Sequence, residues 1–163
     1  MNDLTKTRYN KSKKEEKKVQ IQQPNKNLLF VYGSLKRGFN NHNLLKNAIF
    51  IAEAKTLQPY SMFVETHGQY PYLLKNRPFH QIEGEIYEIE SDELWDKIDA
   101  FEGVPNYYSR ETIVVVVDEK HYQAQAYFFV EEKIPQKQEP LKVWTMNNDY
   151  FLDAFEAYYQ KSV

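Results

Sequence analysis

Between positions 28 and 130 the chain is a succession of short, strand-length apolar runs interrupted by one segment with full helix punctuation at 91–102. Many strands with few helices indicate an α+β fold, and a closed sheet is the natural way to leave no edge unpaired. The expected architecture is a barrel-like closed sheet with a few helices. The run Leu28-Leu29-Phe30-Val31 reads as the first strand, and Asn40-Asn41-His42-Asn43-Leu44-Leu45-Lys46 starts a short helix. Segments 48–57 and 60–66 read as strands broken by Pro59, and 70–74 is a short extended piece. Segment 81–90 alternates as a strand, but its apolar set changes face between Ile86 and Tyr87, which suggests a bulge there. The β-branched run 112–117 predicts a central strand buried on both faces. Asp118-Glu119-Lys120 turns it back into 122–130 as a hairpin. A polar, proline-punctuated loop at 134–140 leads to a helix over 148–159, with Tyr150, Phe151, Ala154, Phe155 and Tyr158 on one face.

Composition narrows the class. The 163 residues suit one domain with a real core, and 13 Tyr, 10 Phe and 2 Trp suit a β-rich fold around an aromatic-lined cavity. With no cysteine there are no disulfides and no thiolate chemistry. No apolar segment is long enough to cross a membrane and the start carries no signal-like apolar region, so the expectation is a cytoplasmic protein without membrane association. Charge is unevenly spread. Residues 1–26 hold eight Lys/Arg against three acids, and the rest holds 13 against 20. The first segment is too polar to offset its ordering entropy and is expected to be a disordered basic tail, with 27–163 forming the single domain. That tail reads either as a solvated extension or as an arm for an anionic partner. The acidic body argues against nucleic acid as the main ligand.

Two places carry candidate chemistry. The first strand ends at Tyr32-Gly33-Ser34-Leu35, followed by Lys36-Arg37-Gly38. A break of this kind leaves backbone N–H groups free to bind an anion or a polarised carbonyl oxygen. Lys36 and Arg37 read equally as attractors of a substrate carboxylate or as solvated turn charges. The second place is the helix. Ser91 is its N-cap, Asp92 and Glu93 suit its positive end, and Gly103 stands at C′ with Pro105 beyond. At helical spacing Leu94, Trp95, Ile98 and Phe101 form an apolar stripe, and Glu102 falls inside it.

A carboxylate in that stripe is desolvated, and the negative end of the helix pushes its pKa the same way, into the range of a general acid–base. The other reading has the helix fraying at Phe101 and Glu102 turned to solvent. Tyr107 and Tyr108 lie just beyond the turn, and Tyr127 shares a strand face with Gln123 and Gln125, opposite Ala124, Ala126 and Phe128. Such phenols orient a carboxylate, line a pocket or simply pack. For Asp99 a surface or hydrogen-bonding role is expected, for Arg110 a structural carboxylate pair, and for His42 capping or packing at the short helix. His42, His67, His80 and His121 have no metal-ligand spacing, so neither metal nor cofactor is expected.

The block Phe30-Val31-Tyr32-Gly33-Ser34-Leu35-Lys36-Arg37-Gly38 with Asn41-His42 resembles the opening signature of the γ-glutamylcyclotransferase-like superfamily, in its γ-glutamylamine cyclotransferase (AIG2-like) branch. Gln58-Pro59-Tyr60, Gly84-Glu85-Ile86-Tyr87 and Ile98-Asp99-Ala100-Phe101-Glu102-Gly103, leading to Tyr108-Ser109-Arg110, follow in the same order. The similarity runs from about 28 to 130. It implies a small mixed β-barrel with flanking α-helices, and an enzyme that converts a small-molecule γ-glutamyl amide to 5-oxoproline and a free amine. The implied acid/base is Glu102, and the implied substrate-binding residues are Tyr32, Gly33, Ser34, Leu35, Tyr108 and Tyr127. The substrate's α-amine attacks its own γ-carbonyl, so no protein nucleophile is required. A monomer or weak dimer is expected. Choice of amine is expected to lie with the loops at 62–72 and 134–144. The alternatives are the same chemistry on a γ-glutamyl-protected biosynthetic intermediate, or a non-catalytic small-ligand binding module; an intact Glu102 beside an intact loop argues against the last.

Overall fold

Seven strands follow one another in the computed structural model, which describes residues 27–65, 67–131, 134–135 and 137–145. They are β1 (Leu28–Val31), β2 (Ile49–Thr56), β3 (Ser61–Val64), β4 (Pro71–Leu74), β5 (Glu83–Glu88), β6 (Tyr108–Val117) and β7 (Lys120–Phe129). One α-helix, α1 (Asp92–Glu102), joins β5 to β6, and a 3₁₀ helix (His42–Leu45) precedes β2. The expected tail over 1–26 and helix over 148–159 lie outside the described residues. Five strands close a barrel in the order β1-β5-β2-β6-β7, and β3 pairs with β4 beside it. Closure is made by the parallel contact Leu29↔Gln125 between β1 and β7; the other barrel pairs are antiparallel. The α+β barrel expected from the sequence is the fold. Among the described residues no helix is long and apolar enough to cross a membrane.

Two apolar clusters share β1. Leu28 and Phe30 pack with Ile86, Ile113, Val115, Ala124, Ala126 and Phe128. Leu29 and Val31 pack on the other face with Tyr127 and with Leu94, Trp95 and Ile98 of α1. All four β1 residues are therefore buried, which is why β1 is an unbroken apolar run. That situation was expected for 112–117, and there the expectation fails. Ile113 and Val115 are buried, while Val114 and Val116 are only partly covered, because in a closed barrel one face of a strand looks outward.

The bulge expected within 81–90 sits instead on the neighbouring strand. Phe50 pairs with Tyr87 and Ala52 with Ile86, leaving Ile51 as the extra residue on β2. Ile86 and Tyr87 need no change of face, because both faces of β5 are covered at this point. The β6–β7 hairpin turns through Asp118 and Glu119, both at positive φ (48° and 66°), as a two-residue connection of twisted strands demands.

Helix α1 forms as its punctuation predicts. The Ser91 hydroxyl accepts from the Leu94 N–H at 3.1 Å, and Gly103 closes the other end in the left-handed conformation at φ 68°. Leu94, Trp95 and Ile98 are its buried residues. Burying Ile98 completely contributes about 2–3 kcal/mol.

Candidate active site

The strand-to-loop break after Val31 opens at one end of the barrel. Gly33 passes so close to β4 that a Cβ there would lie 2.9 Å from Pro71 Cγ, so only glycine permits this path. The loop is braced through its carbonyls. Gly33 C=O accepts from the Lys36 N–H and Ser34 C=O from the Asn41 N–H, both at 3.0 Å. Asn41 Nδ2 donates to Ser34 Oγ at 3.0 Å. His42 Nδ1 lies 2.9 Å from Leu35 C=O, and since a carbonyl only accepts, Nδ1 carries the proton. Among the described residues, the N–H groups of Gly33, Ser34 and Leu35 make no hydrogen bond.

Facing this loop is the end of α1. Loop and helix end share a cavity of about 760 Å³ lined by Tyr32, Gly33, Ser34, Leu35, Glu102, Tyr108 and Tyr127. All seven residues named from the sequence thus meet in one place. Glu102 is largely covered, and burial pushes its carboxyl from 4.5 up to about 7. The frayed-helix reading does not hold, because Gly103 caps the helix after Glu102 and not before it. Burial and the Glu102 charge raise the Tyr108 phenol, and burial, Tyr108 and Glu102 raise that of Tyr32, so both remain neutral donors.

Two of these tyrosines are committed. Tyr32 Oη donates to the Tyr127 carbonyl at 2.8 Å. Tyr127 Oη donates to Asp99 Oδ1 at 2.6 Å. Asp99 Oδ2 is 3.2 Å from Arg110 Nη1, and the Arg110 guanidinium stacks over Trp95 at 4.7 Å. The hydrogen-bonding role expected for Asp99 and the structural pair expected for Arg110 are both present.

The cavity is also lined by Asn40 and Asn41, by Gln69 and Tyr70 of the 62–72 loop, and by Phe101, which the helix pattern puts in the apolar stripe but which is 46% exposed. Asn41 was visible within the opening signature, but its bond to Ser34 depends on how 38–41 folds back. Tyr70, Phe101 and Tyr107 form an exposed aromatic rim, with Tyr107 66% exposed. No lysine or arginine lines the cavity among the described residues.

Lys36 matches neither reading made of it, while Arg37 remains an exposed turn charge. Lys36 is 7% exposed, and its ammonium donates to the Trp144 carbonyl at 2.5 Å. Arg37 stacks on Phe50 at 3.7 Å, and Glu85 accepts from its N–H at 3.0 Å and pairs with its Nε at 3.4 Å. Both side chains turn away from the cavity, because the tight turn after Gly33 reverses the chain. Trp144 is buried in the cluster around Phe30 and Ile86 and does not line the cavity, so of the two loops expected to choose the amine, 62–72 reaches it through Gln69, Tyr70 and Pro71. Among the described residues no cluster of His, Asp and Glu is placed to hold a metal ion.

Comparison with known proteins shows the family and the fold. The family model described as gamma-glutamyl cyclotransferase, AIG2-like, matches residues 29–150. A Methanocaldococcus jannaschii protein, provisionally named a gamma-glutamylcyclotransferase, is 41% identical over 105 residues, covering 63% of this chain and 84% of its own. Gamma-glutamylaminecyclotransferase A of Danio rerio is 41% identical over 92 residues, covering 52% of this chain and 56% of its own, so the match spans little more than half of that relative. The crystal structure of an AIG2-like protein from Mus musculus superposes with a TM-score of 0.68 at 26% identity, covering 76% of this chain and 91% of that one.

Proposed function

Because the chain belongs to the gamma-glutamyl cyclotransferase, AIG2-like family, we propose that it cyclises a γ-glutamyl amine, releasing 5-oxoproline and the free amine with Glu102 as general acid/base. What carries this reading is a carboxylate held at about 7 by burial, in the same cavity as a loop whose N–H groups are unengaged among the described residues. An α-ammonium with a pKa of about 7.7–8 is well matched to a base of that strength.

In the proposed reaction Glu102 takes one proton from the substrate's α-ammonium. The amine nitrogen attacks the γ-carbonyl carbon of the same molecule, closing a five-membered ring and placing negative charge on the carbonyl oxygen. The N–H groups of Gly33, Ser34 and Leu35 stabilise that oxyanion or hold the α-carboxylate, in a cavity that no lysine or arginine lines among the described residues. Glu102 returns that proton to the leaving nitrogen as the C–N bond breaks and the oxyanion collapses to the lactam carbonyl; the surplus proton on the ring nitrogen passes to the released amine, which departs as an ammonium, so atoms and charge balance without water. The walls, Tyr108 and Tyr32 among them, fold the substrate into the near-attack shape that ring closure needs.

The test is 5-oxoproline release from a panel of γ-glutamyl-ε-lysine, γ-glutamyl alkylamines and γ-glutamyl dipeptides. Product from at least one, lost in Glu102→Gln, is expected. No product from any of them would move the protein to the binding-module reading, and full turnover by the variant would remove Glu102 from the mechanism.

A further inference from the structure

The catalytic carboxylate of the proposed reaction stands on the weakest part of its helix. The buried residues of α1 are Leu94, Trp95 and Ile98. Beyond Ile98 the last turn has no buried apolar side chain, and Phe101 is 46% exposed. A helix end without apolar anchors frays, since its final carbonyls have no helical partners.

What holds this turn down is polar and comes from the barrel. Arg110 on β6 and Tyr127 on β7 are direct cross-strand partners, so their side chains leave the sheet side by side. Asp99 lies over the pair and uses one carboxylate oxygen for each, Oδ1 for Tyr127 and Oδ2 for Arg110. Its own carbonyl accepts from the Val104 N–H at 3.0 Å, closing the turn that follows Glu102. The Tyr127 carbonyl in turn receives the Tyr32 hydroxyl. One chain of bonds therefore joins the Glu102 turn to the start of the loop on the other side of the cavity.

We propose that Asp99, clamped between Arg110 and Tyr127, is the positioning residue that keeps the Glu102 turn of α1 against the cavity. Tyr127 then serves through its bond to Asp99 and not as a substrate ligand. This rests on Glu102 being the acid/base, but the clamp itself is readable without turnover. Burial alone raises the Glu102 carboxyl; the titratable groups that share the cavity with it are Tyr32 after β1, Tyr108 on β6 and Tyr127 on β7, each of whose phenols the Glu102 charge raises, and Asp99 stands one turn back on its own helix.

The experiment compares Asp99→Ala, Tyr127→Phe and the double variant in the full chain. Asp99→Ala is expected to lower kcat about 100-fold and Tyr127→Phe about 10-fold, with KM within about threefold of the parent. The double variant is expected to match Asp99→Ala, as members of one unit do. In parallel, the Glu102 carboxyl is titrated by ¹³C NMR, its signal identified by its loss in Glu102→Gln. Both single variants are expected to drop its midpoint by about one pH unit or more as the turn moves into water.

Asp99→Ala also removes a charge, so Tyr127→Phe, which removes none, decides. An unmoved midpoint in Tyr127→Phe overturns the clamp, as do multiplying losses in the double variant or a raised KM at unchanged kcat in Tyr127→Phe. If the parent makes no 5-oxoproline, the reaction assignment fails while the titration still decides the clamp.

Discussion

Replacing Glu102 with Gln should make this protein more stable at neutral and alkaline pH while silencing it. In the native state burial favours the neutral carboxyl, raising its pKa from 4.5 to about 7. Between those two values the folded chain holds a proton that the unfolded chain has released, so stability falls as pH rises through the interval. At about 1.4 kcal/mol per pH unit the full displacement is worth about 3 kcal/mol of destabilisation, complete above pH 7 and absent below about 4.5. Gln keeps the shape and has no proton to lose, so the variant escapes this cost. Urea unfolding of parent and variant across pH 4–8.5 isolates the effect, since all other groups titrate alike in both. The curves should meet at the acid end and separate to about 3 kcal/mol at pH 8.5, with kcat down about 10²–10⁴-fold. Curves that stay parallel at every pH would refute the buried-carboxylate reasoning, whatever the variant's activity.

Three further outcomes follow from the same geometry. The acid limb of kcat/KM should lie near pH 7, with activity falling below it as Glu102 becomes protonated; a limb near 4.5 would mean an exposed carboxylate. Gly33→Ala should push the loop off Pro71 and cost about 1–3 kcal/mol together with at least about tenfold in kcat/KM, read by thermal melting and the 5-oxoproline assay. Lys36→Met should lower the melting temperature by removing the bond to Trp144, yet leave KM within about threefold. A role in binding the substrate carboxylate would instead raise KM strongly.

Glu102 and its partners differ in how far they were legible from residues alone. Helix periodicity placed Glu102 in an apolar stripe, and Ser91 and Gly103 marked the helix ends, because caps and amphipathicity are local properties read within a dozen residues. The Tyr32-Gly33-Ser34 break was visible for the same reason, since a strand and a glycine turn announce themselves in sequence. Lys36 departs from both of its readings because a turn's direction decides whether a cation meets solvent or a carbonyl. Lys36 is engaged by Trp144, more than a hundred residues away, which no local pattern reports. The both-faces-buried strand was assigned to 112–117 and not to β1 because β-branched content describes a pleated surface and does not count the layers stacked on it.

From the sequence alone came the α+β barrel, the capped helix, and the two short segments proposed to carry the chemistry. These follow from propensity, capping and hydrophobic period, all set by neighbours along the chain. Only the tertiary structure decided that loop and carboxylate share one cavity, and that the lysine beside the loop turns away. It alone supplied the hold on the Glu102 turn, through Arg110 and Tyr127 on paired strands. Closing the barrel brings such residues together, and closure depends on contacts far apart in sequence, which periodicity cannot encode.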